Sequence, residues 1–171
     1  MLIAISGYSI TYMVNIIPTK RWLPGIKPKS SPWSGVDFPR LKPAYHFGFG
    51  LSYTIFAYSD LQVEKQGDRL EVTVKVSNTG ERVGEEVVQV YIGMENSQVE
   101  RQNKLLKGFE KVSIPAGKIV DVTITISLDE LRYYDEQEKR WILEEGSYQV
   151  LVGPNSDEGE LLKAKIIIES T

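Results

Sequence analysis

Cysteine is absent and histidine occurs once, as His46. Without cysteine there is no disulfide scaffold, no thiolate zinc or iron–sulfur centre and no cysteine nucleophile. That absence does not fix a compartment, because secreted domains also dispense with disulfides. A single imidazole excludes a multi-histidine metal site and any mechanism that needs two. A strong excess of one charge is also lacking: 20 Lys plus Arg stand against 23 Asp plus Glu. The imbalance is local instead. Residues 1–50 carry six basic groups and one acid, whereas residues 51–171 carry 14 basic and 22 acidic groups. An acidic body has no coherent basic face for phosphates, which disfavours a nucleic-acid role. The basic charges of the first 50 residues are interleaved with Pro and Gly and read as a solvated loop.

Long apolar runs are scarce. The first 17 residues carry no charge, yet they include Ser6, Gly7, Tyr8, Ser9, Thr11, Tyr12 and Asn15. That falls short of the ~20 strongly apolar residues of a spanning helix. No Lys or Arg precedes Lys20, so the basic start of a signal peptide is missing. The run is expected to be a buried strand or helix of a larger fold.

What is present divides the chain in two. Pro18, Pro24, Pro28, Pro32, Pro39 and Pro43 punctuate residues 18–45. Each fixes its own φ and pushes the residue before it to an extended shape, so no ordinary helix survives there. Residues 18–45 are expected to form a long extended connector, with Trp22, Trp33, Phe38 and Tyr45 able to pin it to a surface, and residues 1–45 together an N-terminal arm or linker. From about residue 53 the apolar period becomes two. Leu70, Val72, Val74 and Val76 alternate with Glu71, Thr73, Lys75 and Ser77. Val120, Val122, Ile124, Ile126 and Leu128 alternate with Asp121, Thr123, Thr125 and Ser127. Further strands are expected at 85–94, with Gln89 and Tyr91 on the face opposite Val88, Val90 and Ile92, and at 105–114, 148–152 and 161–168. A short helical turn is expected at 129–131, and a hairpin from 132–134 and 140–143. Seven or eight short strands, turns every 8–12 residues and no long helix predict an all-β fold over residues 46–171, an antiparallel β-sandwich of two sheets packed face to face. A parallel sheet would need crossover helices.

Candidates for chemistry are few. His46 sits among Tyr45, Phe47 and Gly48, without the fixed carboxylate and nucleophile of a triad, and reads as a structural histidine. Phe47-Gly48-Phe49-Gly50 precedes a strand, so it offers no helix-terminal amides to a phosphate. The acid pairs Glu85-Glu86 and Glu144-Glu145 and the cluster Asp157-Glu158-Gly159-Glu160 fall at expected strand ends, where solvent keeps carboxylates ordinary. The cluster lacks the ligand spacing of a calcium loop. No catalytic residue, metal site or cofactor is expected.

The motifs themselves carry a resemblance. Phe47-Gly48-Phe49-Gly50-Leu51-Ser52-Tyr53-Thr54 with Phe56, Val76-Ser77-Asn78-Thr79-Gly80 and Gly84-Glu85-Glu86-Val87-Val88-Gln89-Val90-Tyr91 come first. Leu106-Lys107-Gly108-Phe109-Glu110-Lys111-Val112, Pro115-Ala116-Gly117, Trp141 and Gly146-Ser147-Tyr148 follow in order. Over residues 45–168 this resembles the fibronectin type III-like C-terminal domain of family 3 glycoside hydrolases, the β-glucosidases and β-xylosidases. The resemblance implies that the catalytic nucleophile and the acid/base belong to a barrel and an α/β domain, and the barrel's GFV-x-SDW-like segment is not found in these residues. His46, Phe49 and Gln102 depart from the usual Pro, Tyr or His, and Pro.

Gly48 and Gly50 are expected to allow close backbone approach, and Asn78 and Gly80 to suit a turn with positive φ. Trp141 is expected to anchor the core beside Phe109 and Tyr148. The function that follows is a non-catalytic accessory module, a separated subunit or a piece of such an enzyme, that docks onto glycosidase catalytic domains. Trp22, Trp33, Tyr45, Phe47, Phe49 and Tyr53 are the expected docking residues. The alternative is a stand-alone carbohydrate-binding or adhesive module. That would need a coplanar exposed row of aromatics, drawn from Tyr91, Tyr133, Tyr134 and Tyr148.

Overall fold

A computed structural model describes residues 43–99 and 101–169. The expected arm residues Trp22, Trp33 and Phe38, and the uncharged run at residues 1–17, lie outside them. Nine strands follow in order: β1 Phe56–Gln66, β2 Arg69–Asn78, β3 Gly84–Met94, β4 Leu105–Ile114, β5 Ile119–Ser127, β6 Tyr133–Asp135, β7 Arg140–Ile142, β8 Gly146–Gly153 and β9 Leu162–Ile168. Seven of them make two antiparallel sheets, ordered β1-β2-β5 and β4-β3-β8-β9. Strands β6 and β7 form a separate hairpin. The all-β sandwich is therefore the fold. A 3-10 turn, Leu128–Leu131, links β5 to the hairpin.

The alternating runs become strands because each has one face to bury. Leu70, Val72, Val74 and Val76 of β2 pack with Val122, Ile124 and Ile126 of β5 against Val88, Val90 and Ile92 of β3 and Val150 and Val152 of β8. Leu70, Val76, Val88, Val90, Ile126, Val150 and Val152 are wholly buried. At about 25 cal/mol per Å² of apolar surface, each such side chain contributes roughly 1.5–3 kcal/mol. Gly108 on β4 closes the layer, since a Cβ there would stand 2.7 Å from Cγ2 of Ile124.

Two strands differ from the sequence reading. Strand β1 shows no single alternation because a bulge between Ser59 and Gln62, with Asp60 at φ 52°, shifts its phase. Phe56 and Tyr58 face the core before the bulge, and Leu61 and Val63 after it. Strand β3 is buried on both faces from Val88 to Gly93. Gln89 and Tyr91 are covered rather than solvated, with Tyr91, Leu151 and Leu161 forming a second small cluster beside Leu106.

Trp141 is not a core anchor. It is 63% exposed and Phe109 is 65% exposed, because Trp141 sits on the outlying hairpin and Phe109 pairs with Gln89 on the outer face of its sheet. Tyr148 does enter the core.

Candidate functional site

The segment from Phe47 to Ile55 runs as a strap that is fastened at both ends. At its first end the carbonyl of Phe47 accepts the amide of Ser156 at 2.8 Å and the Tyr91 hydroxyl at 3.5 Å. The buried Gln89 amide donates to the carbonyls of Gly48, at 3.2 Å, and Pro154, at 2.5 Å. Its oxygen accepts the Tyr91 hydroxyl at 2.6 Å. Burial pushes the Tyr91 phenol up to about 12, so at neutral pH it is a donor. Gly48 has φ +80°, and a Cβ there would stand 2.1 Å from Oε1 of Gln89. Glycine is therefore required on both counts.

At the far end Asn78 is the fastener. It is 1% exposed. Its Oδ1 accepts the Thr54 hydroxyl at 2.6 Å and the Gly80 amide at 3.1 Å. Its Nδ2 donates to the carbonyls of Arg82, at 2.7 Å, and Ile114, at 2.8 Å. The Ile55 carbonyl accepts the Thr79 amide at 2.8 Å. Neither Asn78 nor Gly80 has positive φ, contrary to the sequence expectation. Asn78 acts through its side chain, and Gly80 is needed because a Cβ would stand 2.2 Å from Oγ1 of Thr54. Gly50, by contrast, has open space where a Cβ would go, so close approach does not explain it.

Between these fasteners the strap turns its apolar side chains outward. Leu51 is 92% exposed, Tyr53 95% and Ile55 68%. Phe47 and Phe49 are also exposed, as is Tyr45, and His46 is partly buried. Leu51 and Ile55 were not among the expected docking residues. The signal for them was position: both lie inside the same motif-bearing segment, ahead of the alternating run that begins at Leu70.

Two of the carboxylates expected to be solvated are instead covered. Glu86 faces inward and accepts the Tyr58 hydroxyl at 2.7 Å. Burial raises its carboxyl above the usual range, and the Tyr58 hydrogen bond offsets part of that rise. Glu144 is 8% exposed. It accepts from the Ser97 hydroxyl at 2.7 Å, the Gln98 amide at 2.5 Å and the Arg101 guanidinium at 2.5 Å. Arg101 in turn lies 5.1 Å over the Tyr133 ring. Each carboxylate is committed to a partner that holds loops or sheets together. In the turn at 157–160, Glu158 lies 3.6 Å from Nζ of Lys104 and 3.7 Å from Nζ of Lys163, and Glu160 accepts from Asn155. Among the described residues no group of three His, Asp or Glu is placed to hold a metal ion.

The four tyrosines considered for sugar stacking do not share an exposed face. Tyr91 and Tyr148 are buried, Tyr133 lies under Arg101, and Tyr134 meets Trp141 edge to face, at 68° with centroids 5.7 Å apart.

The model of the fibronectin type III-like domain matches residues 86–156. The thermostable β-glucosidase B of Acetivibrio thermocellus is 40% identical over 139 residues, covering 79% of this chain and 18% of that protein. A Kluyveromyces marxianus β-glucosidase is 43% identical over 119 residues, covering 68% and 14%. Among solved structures, β-glucosidase 3B of Thermotoga neapolitana in complex with α-D-glucose superimposes with a TM-score of 0.70 at 37% identity, over 75% of this chain and 18% of that one. The Bifidobacterium adolescentis structure, a family 3 β-glucosidase, gives 0.68 at 36% identity over 72% and 18%.

The chain carries the fibronectin type III-like domain of family 3 glycoside hydrolases. This fibronectin type III-like module spans less than a fifth of the length of the relatives it matches. In those relatives it is one part of a much longer polypeptide.

Proposed function

We propose that this chain is a non-catalytic accessory module that docks onto the catalytic domains of a family 3 glycoside hydrolase and stabilises them. In this reading residues 46–171 are the module. The arm, residues 1–45, brings Trp22 and Trp33 to the same barrel and α/β partner, and the strap is the contact surface on the sandwich. One observation carries it. Leu51, Tyr53 and Ile55 stand exposed on a segment that buried Gln89 holds at the Gly48 carbonyl and buried Asn78 holds at the Thr54 hydroxyl. A sandwich alone gains nothing from apolar side chains in water, whereas covering a Leu or Tyr is worth roughly 1.5–3 kcal/mol.

The test uses the A. thermocellus enzyme truncated before its matching segment. Adding this chain is expected to raise the truncated enzyme's melting temperature saturably and to restore aryl β-glucoside turnover, while the chain alone turns over nothing. The double variant Leu51→Ser, Tyr53→Ser is expected to melt as the parent chain does and to lose both effects. Equal rescue by the double variant would refute the assignment of the strap, and turnover by the isolated chain would refute the accessory role.

A further inference from the structure

Resting on the docking reading, we propose that Gln89 is a positioning residue: it latches the strap into a preformed contact surface before any partner arrives. Gln89 is 5% exposed and lies on the outer face of β3. An apolar side chain would suit that burial without needing partners. The amide instead meets three, and their chemistry fixes its orientation. The carbonyls of Gly48 and Pro154 can only accept, which turns Nε2 toward them and leaves Oε1 to accept from the Tyr91 hydroxyl. Both donors of the amide are thereby used on chain segments 41 and 65 residues away. The latch joins three pieces: the strap through Gly48, the turn after β8 through Pro154, and β3 itself. The Ser156 amide closes the same junction on the Phe47 carbonyl, and a Cβ at position 48 would displace the Gln89 amide.

The consequence is for binding. A strap that had to be ordered on contact would weaken docking by roughly tenfold for each residue fixed. A latched strap has met that cost during folding. Gln89 therefore acts on the contact surface without touching the partner.

The experiment is hydrogen exchange on the full chain, read at two amides. Ser156 reports the latch, because it donates to Phe47, and Thr79 reports the opposite end, because it donates to Ile55. In Gln89→Leu the Ser156 amide is expected to exchange at least about tenfold faster, with Thr79 and the core strands unchanged. Affinity for the truncated A. thermocellus enzyme should fall by about tenfold or more in the same variant. If Gln89→Leu does not fold, Tyr91→Phe keeps the ring, removes the hydroxyl that satisfies the amide oxygen, and should accelerate Ser156 by a smaller factor. Unchanged Ser156 exchange in a folded variant overturns the latch. Faster exchange with unchanged affinity overturns its role in docking. If the wild-type chain does not bind the truncated enzyme, the docking reading fails and the latch's role in docking fails with it. The Ser156 rate still decides separately whether the latch exists.

Discussion

Replacing Asn78 with Ala should cost the module about 3–5 kcal/mol, close to the whole stability of a small domain at the low end of the usual ~5–15 kcal/mol. The magnitude follows from four hydrogen bonds. The Asn78 side chain accepts from Thr54 and Gly80 and donates to the carbonyls of Arg82 and Ile114. Each bond contributes roughly 0.5–1.5 kcal/mol net, and a buried group left without a partner costs roughly 1–3 kcal/mol more. Ile114 is fully buried, so its carbonyl cannot recover the bond from bulk water. At about 4 °C per kcal/mol for a domain of this size, the melting temperature should fall by about 12–20 °C. Asn78→Asp should be at least as damaging. It keeps the shape but turns two donors into acceptors facing two carbonyls, in a site that penalises charge. The assay is urea denaturation followed by circular dichroism, with the m-value checked for constancy. A loss below about 1 kcal/mol in Asn78→Ala would refute the reasoning, because it would mean that the four bonds are replaced without cost.

Two further predictions concern the sandwich. Val90→Asp puts an unpaired carboxylate in a fully buried site between the sheets, which costs several kcal/mol. It should yield no folded soluble protein, and a dispersed amide spectrum from this variant would contradict the two-sheet core. Glu86 gives a pH signature. Burial holds its carboxyl above the ordinary 4.5, so the folded chain binds that proton more tightly than the unfolded chain does. Its contribution to stability is therefore complete below the unfolded-state value and is lost as pH rises through the raised folded-state value. Relative to Glu86→Gln, the parent chain should gain stability as pH falls from 7 toward 4.5. A pH-independent difference between the two urea midpoints would show that the carboxyl is not shifted.

The parts of the fold that were legible in the sequence are those with one wet and one dry face. Strands β2 and β5 alternate cleanly because their outer residues, such as Thr73, meet solvent. Strand β1 was obscure because a bulge changes its phase midway. Strand β3 misled at Gln89, because a polar residue on the apparent outer face reads as solvated. What covers it is the strap, 41 residues earlier in the chain, and no local pattern announces a contact that distant. Trp141 misled in the opposite sense: its size suggested a core anchor, but the hairpin that bears it belongs to neither large sheet and leaves the ring exposed.

At the candidate site the motif and its aromatic residues drew attention to Phe47, Phe49 and Tyr53, which are exposed. Leu51 and Ile55 were passed over because an isolated aliphatic residue carries no surface signal of its own. The partly buried Glu86 and the buried Glu144 were hidden because strand ends are usually wet, whereas these are covered by Tyr58 and by the loop bearing Ser97 and Arg101.

Hydroxyl-radical footprinting of the chain, alone and mixed with the truncated A. thermocellus enzyme, tests the docking surface most directly. Oxidation of Leu51, Tyr53 and Ile55 should be strong in the free chain and suppressed in the mixture, while Tyr134 and Trp141, exposed on the separate hairpin, stay reactive in both. Protection of Tyr134 and Trp141 with the strap still oxidised would place the contact on the hairpin and contradict the account.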